Sequence, residues 1–454
     1  MTLPRPPRPP GSTVRHVLAM GRDPLGKLPS WFEAHGDILR IDVPRLPTVV
    51  VGNPEAIHQV LVVDAASFVK DYYTRSLSDV LGEGLLVSEG DFWKNQRRIV
   101  QPSFHGAALR SYADAMVDHA VQQVEAWAPR AEVDLHHELM GLTLRIVAST
   151  LFGVAIDDAD ARAIGDALDE YMGAYMGLLG TGIRVPSTWP TPDNRKRRRS
   201  IRALHDVVQG LIDRHRGAAR DGHSLLSRLL AATDEGMSEE QLLSEALTLL
   251  MAGHETTASA LTMTMYLLAQ HPDVEERLHA EVDQVLGARR ATLDDLSDLP
   301  YTAAVVDEAM RLYPPAWAVG REATCDIEVG GYQLRKGDQL WLATWAVQRD
   351  GRFWEAPLTF RPQRWIDGVD VPKGAYLPFA LGPRACVGKR FAHMEAILVL
   401  ATLARGVAAR LTPGETLELL PSVTLRPVDG LRMTVTRRAP REASAGGGVP
   451  QEAS

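Results

Sequence analysis

The 454-residue chain contains only two cysteines, Cys325 and Cys386. That scarcity excludes a disulfide-stapled scaffold and suits a reducing compartment such as the cytoplasm. No run of 18 or more apolar residues occurs, so no candidate membrane span is visible. The Pro- and Arg-rich start, Met1 to Gly11, has no apolar core of its own and reads as neither a signal peptide nor an anchor. The net charge is −8 with both signs interspersed, which excludes the basic stripe of a nucleic-acid binder. Internal repeats and interdomain linkers are also missing, although the length alone would allow two or three domains. What is present in quantity is apolar residues, 45% of the chain, enough for one large core.

The most informative stretch is Phe379-Ala380-Leu381-Gly382-Pro383-Arg384-Ala385-Cys386-Val387-Gly388. Gly382-Pro383 marks a turn, and a helical run from Lys389 to Leu398 follows. Cys386 therefore stands just ahead of a helix N-terminus. The dipole and free N–H groups there favour an anionic sulfur and can tune a metal bound to it. Gly388 lacks a side chain and lets a flat ring lie close against the backbone. Arg384 suits an acidic group on that ring, because a guanidinium grips a carboxylate in a fork. A lone intracellular cysteine is more often a small buried hydrophobe. The spacing Phe-x-x-Gly-x-Arg-x-Cys-x-Gly outweighs that, since at ordinary residue frequencies it arises by chance on the order of once in ten thousand such chains.

This pattern resembles the haem-binding loop of the cytochrome P-450 family, and every defining position matches. The resemblance implies a mainly α fold with a small β region (α+β), a haem b cofactor, and Cys386 as the axial thiolate ligand. A thiolate pushes electron density through the iron and favours O–O cleavage. Trp93 and Arg97, four apart on one helical face, would hold the haem propionates together with Arg321. Phe379, Gly388, Arg384 and Ala252 would complete the cofactor site. Ala252-Gly253-His254-Glu255-Thr256-Thr257 lies inside a long helical segment, Ser238 to Gln270, and matches the family's oxygen-activation motif. Glu255 and Thr256 would relay protons there. Read alone, such a Thr back-bonds its own helix and such a Glu lies on the surface. Gly253 in mid-helix costs up to about 1 kcal/mol against Ala, so a reason is expected, either a flat ligand close by or a local widening that lodges water. Glu308, Arg311 and Arg364 would form a buried trio supporting the haem loop. Gln348 stands where the family often has His, with one altered propionate hydrogen bond as the expected consequence. By family position the substrate pocket would draw on Leu86, Met172, Met176, Ala252, Trp317, Val319 and Val423.

Along the chain, Asp37–Val43 and Pro47–Gly52 read as strands, and Asn53-Pro54 opens a helix. Helical patterns fill residues 107–271, with breaks near Pro129, Gly153 and 180–192. Strands broken by Gly330-Gly331 and Gly337-Asp338 follow, and Pro421–Pro427 reads as a turn and strand. Residues 1–29 are expected to be a flexible lead, 30–437 the haem domain, and 438–454 a disordered tail. The expected activity is that of a haem-thiolate monooxygenase. It would oxidise an apolar small molecule (a terpene, fatty acyl or other natural-product skeleton) with O2. No flavin- or nicotinamide-binding region follows the haem part, so a separate ferredoxin and ferredoxin reductase would supply electrons to a cytoplasmic monomer. Lys94, Arg98, Lys389 and Arg390 would form their docking face. The alternatives are a peroxide-driven peroxygenase or isomerase, against which the intact Glu255-Thr256 pair argues, and a non-catalytic haem sensor, which has no need of that relay.

Overall fold

The computed structural model describes residues 3–43, 46–127, 130, 132–181, 189–217 and 224–438. Helices dominate, and four small sheets account for the β content. The largest sheet has five strands in the order Ile38–Val43, Leu46–Val51, Gln339–Leu342, Val319–Ala323, Phe68–Val69. Ile38 pairs with Val51 and Val43 with Leu46 in an antiparallel register. Leu46–Val51 then runs parallel to Gln339–Leu342. The turn at Gly330-Gly331 closes a hairpin between Ile327–Val329 and Tyr332–Leu334. Both glycines have positive φ, +55° and +82°, as a two-residue turn matched to strand twist requires.

Local signals set the helix starts. Asn53 Oδ1 accepts from Ala56 N at 2.9 Å, with Pro54 in the first turn. Ser238 Oγ accepts from Gln241 N at 3.2 Å and opens the long helix Glu239–Gln270. Its 32 residues span about 48 Å. Polar groups interrupt it throughout, and among the described residues no helix is long and apolar enough to cross a membrane. Helix Leu135–Thr150 crosses it at Gly253, where a Cβ would lie 3.0 Å from Val147 Cγ2. Close helix–helix approach is thus a sufficient reason for this glycine. The helix continues through it without local widening, contrary to one of the two reasons expected from the sequence.

The flexible lead expected over residues 1–29 is instead folded. Ser12 Oγ accepts from Arg15 N and starts helix Thr13–Arg22. Asp23 caps Pro24–His35, which buries Leu28 and Phe32. Ahead of both, Arg5 forks the buried Asp338 at 2.5 and 3.0 Å, and Pro7 O accepts from Arg40 N at 2.8 Å. An exposed sheet edge leaves backbone groups unpaired, and this segment covers part of that edge. The tail expected from 438 lies, from 439 onward, outside the described residues.

One loop packs so tightly on the long helix that it strands a carboxyl. A Cβ on Gly84 would come within 2.0 Å of Thr248 Oγ1 and 2.7 Å of Ser244 O. Beneath it Glu245 is fully buried, with Leu85 N donating to Oε2 at 3.1 Å and no partner for Oε1. Burial pushes its pKa up to about 7. A carboxyl raised on folding binds more protons in the native state, so stability falls as pH rises from the unfolded value toward 7 and is level above. Glu245→Gln should therefore stabilise the protein at pH 8, by on the order of 3 kcal/mol at most, and by little at pH 5. Denaturant unfolding of both proteins at the two pH values checks this.

Candidate active site

The cysteine loop is shaped by backbone contacts. Gly382 has φ +74°, and a Cβ there would fall 1.8 Å from Leu61 O, so only glycine fits this turn. Ala385 N donates to Gly382 O at 3.0 Å, and Cys386 N to Phe379 O at 2.9 Å. Helix Lys389–Gly406 begins immediately after Gly388, with no side-chain cap at its start. The Gly388 N–H instead bonds the Cys386 sulfur. A Cβ on Gly388 would approach the Phe104 ring no closer than 3.5 Å and Sγ at 4.0 Å. Protein atoms therefore do not account for this glycine, and the space beside it would admit a flat ligand.

The Cys386 side chain is accessible, yet burial is the largest influence on it and pushes the thiol pKa up. The two facts agree if the sulfur faces an internal hollow. Gly388 N–H, Arg97, Lys389 and Lys70 pull in the opposite direction, in that order. A similar sign appears on the long helix. Between Leu242 and Leu268, Ala252 alone is exposed among the described residues, with buried stretches on either side. Thr256, one turn on, donates from Oγ1 to Ala252 O at 2.8 Å, the back-bond that its sequence position suggests. Glu255 is not a surface residue. It is buried, and Thr424 Oγ1 donates to its Oε1 at 2.5 Å.

Four cations converge near the loop from separate segments. Arg97 donates to Ala385 O at 2.9 Å and lies 5.7 Å from the Trp93 ring centroid. Arg384 stacks on the same ring at 3.8 Å, donates to Ser88 O and pairs with Glu89. Arg321 is buried, and desolvation lowers its pKa to about 10. The fourth, Lys70, is invisible to motif reasoning. Burial, then Arg321 and Arg384, then Arg97 push its pKa down to about 7, against the pull of Asp71. Its backbone N–H is held by Glu89 Oε1 at 2.6 Å. Like charges crowded in a desolvated site need an anionic partner. The two carboxylates of a haem b meet that need, and an accessible sulfur meets the need of its iron, so these residues fit the group.

Behind the loop lies the carboxylate–guanidinium cluster. Glu308 accepts from Arg311 at 2.8 and 2.9 Å, from Arg364 Nε at 3.0 Å and from Trp365 Nε1 at 2.9 Å. All three charged members are buried. Gln348 joins this cluster. Its Nε2 donates to Met310 O and Arg311 O, and its Oε1 accepts from Leu377 N at 2.7 Å. A short polar side chain fully enclosed by backbone has no reach to spare for a cofactor.

The residues expected around a substrate are only partly grouped. Trp317 Nε1 donates to Ser422 O at 2.7 Å, beside Val423, which is 37% exposed. Leu86 and Val319 are half-buried against the core. Phe379 is half-buried too, with Lys389 Nζ 5.8 Å from its ring. Met172 is buried within the main core, and the side chain of Met176 lies outside what is described. A cleft of about 880 Å³ lined by Arg145, Asp166, His254 and Arg426 contains neither Cys386 nor Ala252.

Comparison with known proteins agrees with this geometry. The family model described as "Cytochrome P-450" matches residues 4–419. Cyclooctatin synthase of Streptomyces melanosporofaciens is 35% identical over 424 residues, covering 90% of this chain and 91% of the relative. Cyclooctat-9-en-7-ol 5-monooxygenase of the same species is 33% identical, with 90% of each covered. Pentalenene oxygenase of Streptomyces avermitilis is 31% identical, covering 94% and 96%.

Lys70→Met should weaken haem retention by roughly tenfold or more, the worth of a charge-assisted hydrogen bond. Transfer of haem to an excess of apomyoglobin measures it. Transfer at the wild-type rate would remove Lys70 from the cofactor site.

Proposed function

The chain belongs to the cytochrome P-450 family and is a monooxygenase acting on apolar small molecules, and from that premise we propose that its substrate is a polycyclic terpene skeleton. The relatives named above for pentalenene and cyclooctat-9-en-7-ol support that class over a fatty acyl chain. We also assign electron delivery to a separate ferredoxin. Lys94, Arg98, Lys389 and Arg390 are all exposed, and a positive face near the cysteine loop would steer an acidic donor.

The observation that carries the reading is the accessible sulfur of Cys386, which accepts from the Gly388 N–H and lies near Arg97, Lys389 and Lys70. Cys386, with Lys70, Arg97, Arg321 and Arg384, would hold haem b, which when bound would supply activation of O2 and insertion of one oxygen atom. The protein's part is to charge, orient and protonate. The Gly388 N–H and Arg97 stabilise the sulfur anion. Thr256 donates its own proton to Ala252 O, which leaves lone pairs on Oγ1 to accept from water or a protonated ligand atom. Glu255, buried one residue away, feeds protons to the water that Thr256 Oγ1 holds. Phe379 and the core around Phe104 keep bulk water from the sulfur.

The substrate class is tested by the optical spin-state shift of the iron. Polycyclic sesquiterpenes and diterpenes, with and without one hydroxyl, should displace water and give the shift at lower concentration than C12–C18 fatty acids. The reverse order would assign the pocket to acyl chains.

A further inference from the structure

Consecutive helical residues point about 100° apart. Glu255 and Thr256 therefore cannot face the same way, and something beside the helix must set the direction of the Glu255 carboxyl. We propose that Thr424 is the positioning residue for Glu255, tying proton delivery to the hairpin that reaches the pocket. This rests on the relay assigned above to Glu255 and Thr256.

The geometry is specific. Strands Leu419–Pro421 and Leu425–Pro427 pair antiparallel and turn through residues 422–424. Thr424 and Glu255 are both buried, and the Thr424 hydroxyl donates to Glu255 Oε1 at 2.5 Å. No charged partner of Glu255 is recorded among the described residues, so this hydroxyl is its principal anchor. The turn is itself fixed by bonds that do not involve the threonine side chain. Leu425 N donates to Pro315 O at 2.9 Å, and Trp317 Nε1 to Ser422 O at 2.7 Å. Val423, between the two anchored residues, keeps 37% of its surface exposed. One hydroxyl thus joins the acid of the relay to a turn carrying two residues of the expected pocket, Val423 and, through its indole, Trp317. During turnover Glu255 gives one proton to the water that Thr256 Oγ1 holds and regains one from solvent, while Thr256 keeps its own proton directed at Ala252 O. Thr424 neither gains nor loses a proton overall.

The experiment uses haem-loaded protein with a surrogate ferredoxin, its reductase and NADPH, without substrate. It measures the fraction of reducing equivalents released as hydrogen peroxide. Thr424→Val keeps the shape and removes the donor, and the backbone bonds of the turn should keep it folded. It is expected to raise the peroxide fraction several-fold, and Thr424→Ser to leave it near wild type. Glu255→Gln should raise it as well, and Thr424→Val should add nothing in that background. Amide hydrogen exchange of the peptide covering 419–427 should quicken in Thr424→Val and stay near wild type in Glu255→Gln, whose amide oxygen still accepts from the Thr424 hydroxyl. Two results overturn the assignment while leaving the relay intact. One is a wild-type peroxide fraction in Thr424→Val beside a raised one in Glu255→Gln. The other is an effect of Thr424→Val that adds in full to that of Glu255→Gln. A wild-type fraction in Glu255→Gln itself overturns the relay, and the assignment with it.

Discussion

An anion in a low-dielectric interior is unstable unless its surroundings are arranged for it. The Cys386 sulfur poses that problem here. Burial pushes its proton affinity up, and the Gly388 N–H, Arg97, Lys389 and Lys70 oppose that push. Lys70 is in turn destabilised as a cation, first by its own burial and then by Arg321, Arg384 and Arg97. Protein carboxylates answer part of this, Glu89 by pairing with Arg384 and Asp71 by its pull on Lys70. Iron on the sulfur and carboxylates beside the cations solve both, since a metal deprotonates a coordinating thiol outright. The site is therefore a pair of complementary electrostatic deficits that a dianionic metalloporphyrin would fill.

The loop can hold that arrangement because the chain behind it is pinned. Glu308 collects two guanidiniums and an indole, and Arg311 reaches on to the carbonyls of Gln348, Pro357 and Thr359. A buried ion pair of this kind adds little net stability relative to an apolar replacement, because desolvation offsets much of the attraction. Its value is directional. Gln348 carries the cluster to Leu377 N, two residues before Phe379, and Phe379 O in turn receives Cys386 N. Hydrogen bonds and the backbone from Leu377 to Phe379 thus link the Glu308 carboxylate to the sulfur-bearing residue.

How much of this could be read in advance depended on how local the signal was. Asn53-Pro54, Ser238 and Gly330-Gly331 act over two to four residues, and each lies at the helix start or turn it suggests. The cysteine loop is likewise one continuous stretch. Lys70 was illegible because its neighbours Arg97, Arg321 and Arg384 come from three distant segments. Thr424 and Glu255 are 169 positions apart, and no periodicity links a hairpin to a helix. The segment before residue 29 misled for a related reason. Its proline and arginine content suggests a free chain, while the partners that order it, Asp338 and Arg40, lie elsewhere.

The ligation of iron by the residue at 386 is best tested by light absorption. The purified, haem-loaded protein would be reduced with dithionite and exposed to carbon monoxide. A thiolate trans to the bound gas gives the strongly red-shifted Soret band of haem-thiolate proteins, and Cys386→His should abolish it while haem is retained. A wild-type spectrum like that of a nitrogen-ligated globin, or a red-shifted band that survives loss of the cysteine, would contradict the account.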